Sequence, residues 1–65
     1  MEERERLRVI LEHWIRHNEA HFEEYRRWAS VAASLGLEVI KEKIEEATGR
    51  IEEANELFRE ALKAL

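Results

Sequence analysis

The chain has 65 residues, with no cysteine, no proline and two glycines; 45% are apolar, 40% are charged, and the formal net charge is −4. One small domain spanning 1–65 is all that length allows, and disulfides, cysteine-ligated metals and thiol redox chemistry are excluded. A proline-free chain rich in both apolar and charged residues has the composition of a helical bundle or coiled coil, and its acidity argues against nucleic acid as a partner.

The first predicted helix runs over about 3–34. Its apolar and aromatic positions follow steps of four and three without a slip: Leu7, Leu11, Trp14, Asn18, His21, Tyr25, Trp28, Ala32 and Leu35. That spacing keeps one stripe facing a partner helix. The mixed-sign start (Glu2, Glu3, Arg4, Glu5, Arg6) lacks the apolar segment of a signal peptide. The longest uncharged stretch, Trp28 to Leu37, is too short for the roughly 20 apolar residues of a membrane span. The expectation is a cytoplasmic protein that does not enter a membrane.

The stripe breaks between Leu35 and Leu37, and Gly36 fills the break. Glycine just past a helix end adopts the left-handed conformation cheaply, and an apolar residue after it completes a Schellman cap. A second helix over about 38–64 follows, with Leu37, Ile40, Ile44, Ala47, Ile51, Ala54, Phe58, Ala61 and Leu65 as its stripe. Gly49 falls off this stripe and interrupts nothing. The fold class expected is therefore all-α: an antiparallel two-helix hairpin closing at Gly36. Facing residue numbers then add to about 72, which sets Trp28 near Ile44, His21 near Ile51, Asn18 near Ala54 and Trp14 near Phe58. Trp14, Phe22, Tyr25, Trp28 and Phe58 are assigned to the core or to a dimer contact. Ile10, Ile15, Phe22, Val31, Leu57 and Leu62 widen the apolar face beyond what one hairpin covers. A homodimer forming a four-helix bundle is the economical solution; docking of another protein on the apolar flank is the alternative.

Polar residues interrupt the stripe in its middle. Asn18 and His21 hold core positions, His17 and Glu24 flank them, and His13, His17 and His21 repeat at i, i+4, i+8 along one side of the helix. Two imidazoles at that spacing can share a transition metal, with His17 and His21 as principal ligands and His13 and Glu24 as contributors. Asn18 and the residues placed across the hairpin, Asn55 opposite His17 and Thr48 opposite Glu24, would support them. Two such clusters meeting near a dimer axis complete four or more ligands. Imidazole binds only when neutral, so affinity would weaken in acid. The competing reading is structural: a buried Asn/His layer often only sets register and oligomer state.

Enzyme motifs are missing. The residues around the histidines spell neither His-Glu-x-x-His nor Glu-x-x-His, no glycine-rich phosphate loop is present, and Ser30 and Ser34 lie well beyond reach of the histidines. The expected function is non-enzymatic: either binding of a divalent transition metal or assembly alone.

The stretch Glu12 to His21, then Tyr25-Arg26-Arg27-Trp28-Ala29, Gly36-Leu37, Ile51 to Leu57 and Ala61-Leu62 resembles a family of small uncharacterised helical-hairpin proteins of anaerobic bacteria and archaea. The likeness spans nearly the whole chain from Leu7. Its most specific part is His-Trp-x-x-His-Asn-x-x-His, here His13, Trp14, His17, Asn18 and His21. The resemblance implies an association with nickel-handling proteins, and thus Ni or Zn as the metal rather than haem. Val39 to Lys43 and Thr48 to Arg50 depart from the pattern. A designed sequence built on it would read the same way.

Overall fold

The computed structural model describes residues 2–65, so residue 1 of the expected domain lies outside them. Two helices make up the fold: α1, Glu3–Ser34, and α2, Glu38–Lys63. They pack antiparallel as a hairpin measuring 51 × 16 × 12 Å, and no strand occurs among the described residues. Glu, Arg and Ala are the commonest residues of α1, and Glu is the commonest of α2, where Ala and Lys recur; all of them favour helix. Glu3 and Glu5 in the first turn of α1, Glu38 in the first turn of α2 and Lys63 in its last turn complement the helix dipoles.

The turn is a Schellman cap. The Leu37 N–H donates to the Ala32 carbonyl at 2.9 Å, the Gly36 N–H donates to the Ala33 carbonyl at 3.0 Å, and Gly36 has φ +75°. A side chain there meets no neighbour but suffers the left-handed backbone. Gly36→Ala is therefore expected to cost about 1–2 kcal/mol. Gly49 sits inside α2 with open space around it, so Gly49→Ala should stabilise by about 0.5–1 kcal/mol. Urea unfolding midpoints of the two variants should therefore move in opposite directions.

The seam between the helices is rotated from the expected stripe. On α1 the buried residues are Leu11, Ile15, Phe22, Ala29 and Ala32, with Asn18 and Tyr25 half-buried between them. On α2 the seam runs through Ile44, Thr48, Ile51, Asn55, Phe58 and Leu62. Each helix thus keeps every second expected position and exchanges the others for the next residue along. Ile15, Phe22 and Ala29 replace Trp14, His21 and Trp28, while Thr48, Asn55 and Leu62 replace Ala47, Ala54 and Ala61. The physical reason is burial. Ile15, Phe22 and Leu62 remove more apolar surface from water than alanines do, and His21 keeps its contact with water. Phe22 is buried and Tyr25 and Phe58 half-buried, but Trp14 and Trp28 are 44% and 52% exposed. The placing of these two tryptophans in the core of the hairpin is corrected accordingly. The hairpin register itself shows in the Trp14–Phe58 ring contact, at 5.4 Å between centroids.

Candidate functional site

Asn55 is the most deeply buried side chain, at 0% exposure. Its amide donates to the Ile15 carbonyl of α1 at 3.1 Å, and its carbonyl oxygen accepts from the Asn18 amide at 2.9 Å. A buried amide is stable only when its polar atoms are paired, and among the described residues no buried side-chain polar atom lacks a partner. Asn55 therefore meets Asn18 and Ile15, not His17. Thr48 is also buried, but its hydroxyl donates to the Ile44 carbonyl of its own helix at 2.7 Å and makes no bond to Glu24. The expected polar support of the histidines is thus a separate amide layer inside the hairpin, one seam position away from them. Spacing gave a signal for it: Leu11, Ile15, Asn18, Phe22 and Tyr25 also step by four and three, and so do Ile51, Asn55, Phe58 and Leu62.

The histidines stand outside the seam. His13 and His17 are exposed and His21 is half-exposed, so the core position expected for His21 is not the one it takes. The rings form a ladder along α1. His13 stacks on His17 at 6.0 Å between centroids, His17 meets His21 edge-on at 4.7 Å, and His21 stacks on Tyr25 at 5.8 Å. His21 Nδ1 lies 4.0 Å from the exposed Glu24 carboxylate, longer than a hydrogen bond. Among the described residues no group of three or more His, Cys, Asp or Glu side chains is placed to hold a metal ion. One hairpin supplies the imidazoles in pairs only.

The two broad faces of the hairpin differ in kind. On one, charged side chains reach across the seam: Arg59 pairs with Glu19 at 2.7 Å and Arg26 with Glu52 at 3.7 Å, and a groove there is lined by Arg26, Lys41, Glu45 and Glu52 with smaller neighbours. Partly exposed pairs of this sort contribute little. Glu19→Gln should cost under about 1 kcal/mol, less still in 1 M salt, as urea midpoints at the two ionic strengths would show. The opposite face is apolar. Leu7, Trp14 and Trp28 of α1, Leu35 and Leu37 at the turn and Ile40 of α2 are all exposed large apolar side chains. Trp28, Val31, Leu35, Leu37, Ile40 and Ile44 line an open groove near the turn. His17, His21 and Glu24 continue this face by the steps Trp14, His17, His21, Glu24, Trp28.

A family model described as a domain of unknown function (DUF8180) matches residues 7–65. The chain belongs to that family. The match takes in α1 from Leu7 onward, the turn, all of α2, the amide layer and the histidine ladder. No curated protein and no solved structure matched the chain. Among the described residues no helix is long and apolar enough to cross a membrane.

Proposed function

We propose that the chain is a self-assembling helical module in which a second copy covers the tryptophan face and completes a four-helix bundle. The difference between the two faces carries this reading. One face is finished with charges that pair across the helices, and the other leaves two tryptophans and a run of aliphatic side chains in water. Among the described residues seven are buried, two of them polar, a small core, and domains of this size commonly need oligomerisation to be firmly folded. The hairpin extends 51 Å along and 16 Å across its helices, room for an interface of the about 800 Å² per partner that stable complexes bury.

The pattern on α1 favours a copy of itself as the occupant. At seven-residue intervals it reads Leu7, Trp14, His21, Trp28, Leu35, the same in both directions. Two antiparallel α1 helices related by a two-fold axis near His21 would set Leu7 against Leu35 and Trp14 against Trp28 of the second copy, an isologous contact. Sedimentation equilibrium of the untagged chain at about 10 µM tests the reading. The expected mass is twice the 7.8 kDa of one chain; a single-chain mass at that concentration would overturn it and leave the face to an unlike protein.

A further inference from the structure

We infer that the dimer carries one divalent transition-metal site on its two-fold axis, made by His17 and His21 of both copies with the two Glu24 carboxylates beside them. This rests on the dimer proposed above and adds a ligand to it. The polar group His17, His21 and Glu24 is centred on the apolar run from Leu7 to Leu35. An antiparallel pairing of α1 that covers the whole run therefore brings one polar group onto the other.

Chemistry then constrains what sits there. Covering the face removes water from imidazoles that now reach it, and buried polar nitrogens need partners. One ion satisfies one nitrogen of each of four rings at about 2.0–2.1 Å. Histidines at i, i+4 on a helix form a bidentate metal pair, and the His17 and His21 rings are 4.7 Å apart between centroids. Glu24, 4.0 Å from His21 Nδ1, is near enough that a side-chain rotation would bring its carboxylate to that ring or to the ion. Four imidazoles with carboxylates nearby suit zinc or nickel. The site is incomplete in one chain, which holds no group of three potential ligands among its described residues. His13 stacks on the outer side of His17 and lies off the apolar face, so it takes no part.

The test is equilibrium dialysis of the untagged chain against Zn²⁺ or Ni²⁺ alone, with elemental analysis and sedimentation on the same samples. One ion per two chains is expected, and free ion at a hundred times its dissociation constant should tighten the dimer about 100-fold. His17→Gln with His21→Gln should lose both the ion and the tightening, whereas His13→Gln should change neither. A dimer that retains no ion would overturn this inference and leave the assembly reading standing. One ion per chain on a monomer would overturn both. Unchanged binding by the doubly substituted chain would show that other groups hold the ion, and would also overturn it.

Discussion

Replacing Trp28 by glutamate should raise the dissociation constant of the dimer by a thousandfold or more while leaving the isolated hairpin almost as helical as before. Trp28 is 52% exposed in the single hairpin, so its removal costs that hairpin little packing. In the proposed dimer the same ring would lie against Trp14 of the second copy, and the two-fold axis would make each substitution count twice. Tryptophan is enriched among interface hot spots, whose truncation costs about 2 kcal/mol or more each. A carboxylate in their place must also be stripped of water without a cation to meet it. Two such sites together exceed the roughly 4 kcal/mol of a thousandfold change. Sedimentation velocity from micromolar to millimolar chain, with circular dichroism on the same samples, separates the two effects. A W28E chain that still dimerises at low micromolar concentration would show that this face is not the contact.

The second large effect belongs to the amide layer. Asn55→Ala removes a fully buried side chain, its bond to the Ile15 carbonyl and its bond to Asn18. The cavity and the unpaired Asn18 amide together should cost about 2–3 kcal/mol. Asn18→Leu combined with Asn55→Leu should behave differently, because removing both partners leaves nothing unpaired. Its stability should match or exceed that of the parent chain. What it should lose is part of the preference for one register. Ile44, Ile51, Phe58 and Leu65 repeat every seven residues, so the Asn18–Asn55 pair is the buried polar contact that opposes a slide by one repeat, beside the turn, the Trp14–Phe58 ring contact and the exposed Arg59–Glu19 and Arg26–Glu52 pairs. Urea unfolding at fixed chain concentration reads the stabilities, and amide cross-peaks in a two-dimensional spectrum read whether one register or several is populated. An Asn55→Ala chain within about 0.5 kcal/mol of the parent would contradict the role given to this layer.

Helices, turn and antiparallel pairing were legible because each rests on a local signal. The four-three spacing, Gly36 followed by Leu37, and the jump of two between Leu35 and Leu37 do not depend on any distant contact. The rotation of the seam was not legible in the same way. Two interleaved stripes on each helix have the same spacing, and choosing between them means weighing Ile15 against Trp14, Phe22 against His21 and Asn55 against Ala54 as pairs across the hairpin. Trp14, His21 and Trp28 suit a seam by size. Yet a hairpin that turns them inward would expose Ile15, Phe22 and Leu62 in their place and would strand Asn55 without Asn18. The histidines were thus found by their spacing, but their position on an outer face follows only from the packing of residues beside them. The same rotation explains why the row and the amide layer, one group in the sequence, are two groups in the fold.

The proposed two-fold axis near His21 underlies both the proposed assembly and the proposed metal site, and a distance between spin labels tests it directly. The chain has no cysteine, so Ser34→Cys gives a single label at the exposed end of α1, 13 residues from the axis. Antiparallel pairing of α1 about that axis separates the two labels by roughly 40 Å along the bundle, at ~1.5 Å per residue. Pulsed dipolar spectroscopy should show one distance near that value. A distance below about 25 Å would place both turns at the same end of the bundle, and a trace with no dipolar modulation would mean no dimer; either result would contradict the account.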